Sequence, residues 1–497
     1  MVLAEKTVVN EKAVDYEQTV GFAQTVNNEK TVGFEQTVGI MNTEQSRTRQ
    51  KRRVAVIGGG ASGCMAAIAA ARAGAFVTLF EKNEKPAKKI YATGNGRCNL
   101  TNRKMDASFY RSGAKENPEK FVRKTLELFS QEDLLAFFAQ AGVPVHDREG
   151  YVYPRTDQAE TIALVLEKEL RRAGVRVETG CSVRSVEPTV PVSGIEGKKQ
   201  RSAFPKHTSA DTGFVLRLEE QKSREKGRER DKEKGSEKDS ARSRRFDAVI
   251  LCTGGLAGPA FGCSGDGYRF AESMSHTIAE PLPSLTKLTC DEPLLRRAAG
   301  VRCHASVRLS IGDQEEGEVQ ITEDSISGIP VFQLSGSAAR ALAQKRQVYA
   351  VIDFLPEFSD PMFEEEIRRR LLEDRNQTLG AFFLGLAHKK VIDLILARAG
   401  LQAEMKAKRL NDETLRKLFR EFRNFSLTVS GTGTFVHAQV TSGGVLLSEI
   451  NENFESRKIP GLYFAGELLD VDGRCGGYNL QWAMSSGFLA GQAAARM

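Results

Sequence analysis

Residues 53–81 read RVAVIGGGASGCMAAIAAARAGAFVTLFE, and this stretch decides the fold. Arg53 to Ile57 is a short apolar run that ends at glycine, the pattern of a buried strand. Ala61 to Ala73 is rich in small helix formers and is stopped by Gly74. Phe76 to Phe80 is a second apolar run. Strand, glycine turn, helix and strand in this order predict a Rossmann unit, and Gly58-Gly59-Gly60-Ala61-Ser62-Gly63 fits GxGxxG at its turn. Gly58 permits the tight turn, Gly60 lets backbone approach a pyrophosphate, and Gly63 lets helix and strand pack closely. The helix start at Ala61 and Ser62 then faces phosphate charge. Glu81 ends the second strand, 18 residues after Gly63. A carboxylate there accepts hydrogen bonds from an adenosine ribose and disfavours a 2′-phosphate, so NADP is not expected at this site. Lys82 adjoins it as a further contact. The stretch alone leaves FAD and NAD open, and a glycine-rich turn without a ligand is the bland alternative.

Downstream, Thr93-Gly94-Asn95-Gly96-Arg97-Cys98-Asn99-Leu100-Thr101-Asn102 packs amides, hydroxyls and one guanidinium around two glycines. Such a loop suits a phosphate or the rim of a flavin; a plain surface turn is the other reading. Thr253-Gly254-Gly255 follows the apolar run 248–251. Gly466-Glu467 follows Leu462 to Ala465. Gly476-Gly477-Tyr478-Asn479-Leu480 precedes an apolar helix.

The chain has 497 residues, 40% of them hydrophobic, enough to bury a sizeable core, and it lacks the Gly-x-y repeat of collagen. No window of about 18 apolar residues predicts a membrane span. Glu5, Glu11, Asp15 and Glu17 leave no apolar core for a secretory signal, so a cytoplasmic, reducing location is expected. There the 8 cysteines would be thiols rather than a disulfide framework. The net charge is +7, but residues 1–53 hold 8 Lys/Arg against 7 Asp/Glu and residues 219–245 hold 11 against 8. The body is therefore close to neutral, and the charge says little about its partners.

Residues 5–40 are six hexads, from EKTVVN to EQTVGI. Six hexads make about two coils of a β-helix, too few to bury a core, so a disordered tail over 1–51 is expected. Residues 219–245 alternate acids and bases and read as an overgrown loop between the strands Phe214 to Leu218 and Phe246 to Leu251, within a disordered segment of about 190–245. Asp157-x-x-Glu160 suggests a capping box opening a helix to about Ala173. After Pro283 the pattern changes. Strand-like runs at 301–311 and 347–354 precede helical patterns at 361–375, 388–399 and 411–424. The expected organisation is an α/β, Rossmann-like FAD-binding domain of the two-dinucleotide-binding type, 52–283 and 428–497. It is interrupted at 284–427 by an α+β insert with a β-barrel-like part plus helices.

The chain resembles a flavoprotein family that includes YhiN-like proteins, 3-dehydro-bile-acid reductases and aminoacetone oxidases. The resemblance rests on VAVIGGGASGCMAA at 54–67, TGNGRCNLTN at 93–102, AVILCTGG at 248–255 and GLYFAGELLDVDGRCGGYNLQWAMSSGFLAG at 461–491, with VTSGGV at 440–445 as a fifth stretch. It covers roughly 52–187 and 246–497 and implies FAD. On that reading Gly94, Gly96, Arg97, Cys98 and Asn99 meet the cofactor, and backbone near Val183 meets the adenine. Thr253, Gly254 and Gly255 approach its centre, and Gly466 and Glu467 its ribitol. Gly477, Tyr478, Asn479 and Leu480 present N–H groups to the N1/C2=O end of the flavin, where a helix dipole favours the anionic reduced form. The resemblance departs at Cys475, where the family pattern has threonine. A redox role with Cys98 is one reading, and a buried spectator is the other. No cysteine or histidine spacing suggests a metal site.

The expected function is an FAD-dependent oxidoreductase that moves hydride through flavin N5, with reduction of a conjugated ketone as one reading. With no second GxGxxG, NAD(P)H would dock transiently or another donor would serve. The resemblance leaves a flavin-dependent amine oxidase using oxygen open. Two rivals are a partner- or nucleic-acid-binding protein using 197–245 as a basic arm, which its interleaved acids disfavour, and a flavin sensor without turnover. Tyr478, Arg97 and His437 are the candidate catalytic residues by position.

Overall fold

The apolar run ahead of the glycines forms β1 (Arg53–Ile57), in which Val54, Ala55 and Val56 are fully buried. The glycine turn leads into α1 (Ala61–Arg72), and the chain returns as β2 (Phe76–Phe80). Then come α2 (Ala159–Arg172), β3 (Arg176–Glu178) and β4 (Ala248–Leu251), and much later α3 (Ile329–Ala343), β5 (Leu462–Phe464) and α4 (Tyr478–Ala495). In this computed structural model residues 51–114, 117–189, 213–220 and 242–496 are described. The hexad repeats and most of the charged arm lie outside the described residues.

The five strands form one parallel sheet in the order β5–β4–β1–β2–β3. Val54 pairs with Ala248 on one side and Val77 on the other. A parallel sheet is covered on both faces, which is why these strands are continuous apolar runs rather than alternating ones. α4 crosses α1, and the crossing is tight because both helices present small residues. A Cβ at Gly487 would lie 2.2 Å from the Ser62 carbonyl oxygen, and one at Gly491 would lie 2.2 Å from that of Ala66. The helix nearest the C-terminal end thus lies backbone to backbone on the helix that follows the first strand.

Residues 288–432 contain a closed six-stranded barrel, ordered Leu288–Cys290, Ser325–Ser327, Gln314–Ile321, Arg302–Leu309, Val348–Asp353 and Phe425–Thr432. Helices Asp360–Leu371, Lys389–Arg398 and Asp412–Glu421 accompany it. The barrel and its helices have a hydrophobic cluster of their own, from Leu288 to Val429, separate from the cluster around the parallel sheet. α3 belongs to this region and leans on the first: a Cβ at Gly336 would meet Ser284 Oγ at 2.7 Å, and Arg340 donates to Ser442 Oγ.

Two local expectations need correction. The helix after Asp157 has Gln158 at its N-cap and no side-chain cap. Asp157 instead adopts φ 51° and takes His146 and Arg148 on its two oxygens, because the neighbouring hairpin brings those side chains to it. The charged run also ends earlier than its composition suggests. Arg242–Phe246 is a strand paired antiparallel with Phe214–Glu220, and the chain bends at Asp247 into β4. Arg244 joins this strand because its guanidinium lies over the Phe80 ring and pairs with Glu178.

Gly487→Ala and Gly491→Ala should each destabilise the protein by about 1–3 kcal/mol, since a methyl group would be forced against backbone. Urea unfolding reads this as a lower midpoint. Wild-type midpoints for both variants would show that the two helices can move apart.

Candidate active site

A cavity of about 410 Å³ opens along the carboxyl ends of β1 and β4, where ligands of open parallel sheets bind. Gly58, Gly60, Ala61, Ser62, Glu81, Lys82, Val183, Thr253, Gly254, Glu467, Asn479 and Leu480 line it. These come from six separate segments, and the fold brings all of them to one cavity.

The glycine turn divides its work as its spacing suggests. A Cβ at Gly63 would lie 1.8 Å from Gly58 O, and one at Gly58 would lie 2.5 Å from Cys252 O, whereas a Cβ at Gly60 would meet nothing within 4 Å. Two glycines are therefore there for chain packing, and Gly60 keeps the cavity wall low. Glu81 is 6% exposed. Its Oε2 accepts from the Gly59 amide at 2.7 Å. Its Oε1 accepts from Asn83 N at 2.7 Å and Asn83 Nδ2 at 2.6 Å. The acid thus holds the turn in shape from within the cavity. Lys82 pairs with Asp266 at 2.7 Å.

On the opposite wall Glu467 joins two segments. Its Oε2 pairs with Lys89 Nζ at 2.8 Å, and its Oε1 accepts from Thr441 N at 2.8 Å. Burial works against the Lys89 charge, but the Glu467 carboxylate prevails and holds the ammonium above its ordinary value. Thr441 Oγ1 accepts from Leu256 N at 2.8 Å and Ala257 N at 3.0 Å. Gly255 sits behind the wall, where a Cβ would strike Thr441 Oγ1 at 2.4 Å. Gly466 also sits behind it, its amide donating to Ser486 Oγ and its carbonyl accepting from Trp482 Nε1.

Other expected contacts lie elsewhere. From the loop 93–102 only Thr93 reaches the wall. Gly94, Gly96 and Arg97 are exposed, Cys98 is fully buried, and Asn99 is half-buried. Burial pushes the Cys98 thiol up to about 12, although a Thr93 hydrogen bond opposes it. Cys475 is half-buried, its thiol raised by burial to about 11; both thiols are free. His437 is exposed and faces Thr434. Tyr478 turns inward from α4, and its hydroxyl donates to the Lys104 carbonyl at 3.1 Å. Gly477 presses on Thr101, whose carbonyl oxygen would be 2.5 Å from a Cβ.

Neither α1 nor α4 has a side-chain cap; Gly60 and Gly477 stand at their N-caps. The Asn479 amide bonds Gly473 and Arg474 instead of the helix start. The first N–H groups of both helices are thus free to meet an anionic or electron-rich ligand in the cavity that both helices line. Two such helix starts on one cavity suit the phosphates and the electron-rich edge of a dinucleotide. Lys89, Thr441 and Gln439, which also line or brace the cavity, were not singled out from the sequence. Thr441 lies in the VTSGGV stretch and Gln439 beside it, whereas Lys89 has no local signal.

A parallel Rossmann sheet, an acid at the tip of its second strand and two uncapped helix starts along one cavity define an oxidoreductase of the flavoprotein kind. The comparisons with known proteins agree. The chain belongs to the family described as the HI0933-like protein Rossmann domain, whose model matches residues 52–207 and 206–493. It is 39% identical over 450 residues to a 3-dehydro-bile acid delta(4,6)-reductase of Clostridium scindens, covering 89% of this chain and 99% of that protein. It is 28% identical over 436 residues to a ribosomal RNA dihydrouridine synthase of Haemophilus influenzae (87% of this chain, 96% of that protein). The Escherichia coli protein of that name is also 28% identical, over 441 residues (88% and 96%). Among the described residues no helix is long and apolar enough to cross a membrane.

Glu81→Ala should cost about 1–3 kcal/mol, because it strands the buried Gly59 amide. Thermal melting should fall and retained flavin should drop with it. An unchanged melting point would show that the turn holds without its acid.

Proposed function

We propose that the cavity binds FAD and that the protein reduces a carbon–carbon double bond conjugated to a carbonyl in a small organic substrate. The observation that carries the first half is the pair of uncapped helices, α1 and α4, meeting at one cavity beside Glu81. FAD would supply hydride transfer at N5. The chain would supply everything else. Gly60 and the start of α1 would take the pyrophosphate, and Glu81 the ribose. Val183 would lie against the adenine. The start of α4, at Asn479 and Leu480, would face the electron-rich pyrimidine edge, where a positive helix end favours negative charge. The Lys89–Glu467 pair would hold the middle of the cavity in shape. NAD(P)H would dock transiently to reduce the enzyme.

The second half rests on the chemistry common to the relatives' names. A delta(4,6)-reductase of a 3-dehydro compound and a dihydrouridine synthase both saturate a C=C bond conjugated to a carbonyl. The 39% identity to the first, against 28% to the second, favours a free small molecule over an RNA.

A clean preparation should be yellow and release FAD on denaturation. Anaerobic NADH or NADPH should bleach it, and a 3-oxo-4,6-diene steroid should restore the colour. A colourless protein that cannot be reconstituted with FAD would sink the cofactor assignment. Recovery of colour by uridine-containing RNA and by no enone would move the substrate class to RNA.

A further inference from the structure

Saturating an enone takes a hydride at the β-carbon and a proton at the α-carbon. The proton needs a donor near the redox end of the cavity, and none of Tyr478, Arg97 and His437 fits: one hydroxyl is bonded to a carbonyl, and the other two side chains are exposed. The segment 151–154 offers another. It is a strand paired with Val145–Arg148 on one side and Thr101–Asn102 on the other. Its alternation buries Val152 and Pro154 and leaves Tyr151 and Tyr153 half-buried on the other face.

This small sheet is locked to the start of α4 by contacts from two of its strands. Gly477 packs on Thr101, and a Cβ at Gly476 would lie 2.5 Å from Tyr151 Cε1. Tyr151 therefore lies against the turn that precedes Asn479 and Leu480 on the cavity wall. Cys475, next in that turn, is tied to the cavity too: its Sγ is 3.9 Å from Oε1 of Gln439, a wall residue, and its amide donates to Gln333 Oε1 at 3.0 Å.

The tyrosines nearby differ in one respect. Tyr110 donates to the Tyr478 carbonyl at 2.9 Å, and Tyr478 donates to that of Lys104. The Tyr151 hydroxyl has no hydrogen-bond partner among the described residues. Burial raises it above its ordinary value, and the nearby Cys475 adds to this, so it keeps its proton at neutral pH. The Arg474 guanidinium, itself paired with Glu315, acts in the opposite sense and would favour the phenolate left behind.

We propose that Tyr151 is the catalytic acid, giving its hydroxyl proton to the substrate's α-carbon. This rests on the reductase reading above. The hydride from the reduced cofactor brings an electron pair to the β-carbon. The π electrons of the C=C bond move toward the carbonyl as an enolate, which takes the Tyr151 proton at the α-carbon. Solvent returns a proton to the phenolate. The substrate is reduced by two electrons, and the cofactor is oxidised by two.

The test uses the FAD-loaded protein, reduced anaerobically with dithionite and then mixed with 4-androstene-3,17-dione or with ferricyanide, which takes electrons and needs no proton on carbon. Tyr151→Phe should slow reoxidation by the enone about 10²–10⁴-fold and leave reoxidation by ferricyanide unchanged. Its melting temperature, FAD content and enone affinity (from flavin spectral titration) should match wild type, since no hydrogen bond is lost. Enone reoxidation within threefold of wild type would overturn the assignment. Equal slowing with both oxidants would do the same by showing a structural role, as would a loss produced by Cys475→Ser and not by Tyr151→Phe. Failure of the wild type to be reoxidised by any enone would instead remove the reductase reading, and this inference with it.

Discussion

The contact on which the rest depends is the backbone-to-backbone crossing of α1 and α4. Gly487 and Gly491 let α4 come down onto the Ser62 and Ala66 carbonyls with no side chain between them. The crossing fixes where both helices begin. α1 begins at Gly60, and α4 begins at Gly477, which is itself pinned on Thr101. Both starts line one cavity, so the spacing of two sources of positive potential is set by glycine-to-carbonyl contact rather than by side-chain packing. A methyl group inserted at the crossing would move the two ends of the site relative to each other, as well as costing stability.

Charge within the cavity is arranged around that frame. Glu81 is held by three N–H donors, one of them in the glycine turn. Glu467 is neutralised by Lys89 and by the Thr441 amide. Each carboxylate thus braces backbone while facing the cavity. Buried carboxylates without such partners would repel a dinucleotide and would be costly to desolvate.

How much of this was legible in the sequence depended on how local each cause was. β1, α1 and β2 were readable because apolar runs, small residues and glycines lie next to each other in the chain. Two of the six barrel strands, Arg302–Leu309 and Val348–Asp353, and the helices Asp360–Leu371, Lys389–Arg398 and Asp412–Glu421 were readable from their local patterns; the other four strands were not. α3 was not: it starts at Gly328-Ile329-Pro330, carries Gly336, and is stabilised by contact with Ser284 and Ser442, distant residues. The Lys89–Glu467 pair spans 378 positions and has no local signature. Asp157 had the right spacing for a cap, but the fold supplied His146 and Arg148 as stronger partners. Tyr478 stood in the most informative motif, yet its direction is decided by Lys104 and Tyr110. Motifs located the wall of the cavity; they did not tell which side chains turn toward it.

The crossing also sets an order of events during synthesis. Domains fold as the chain emerges, at about 5–20 residues per second. The barrel and its helices, contiguous from Leu288 to Thr432 with their own hydrophobic cluster, can close while later residues are still inside the ribosome. The parallel sheet cannot. β1 waits for β4, β4 waits for β5, and α1 stays bare on the face that α4 will cover. The cavity lacks one wall until residues 478–495 are out, so the site is completed late. A chain that stalls before them would present the apolar face of α1 to the cell's quality control.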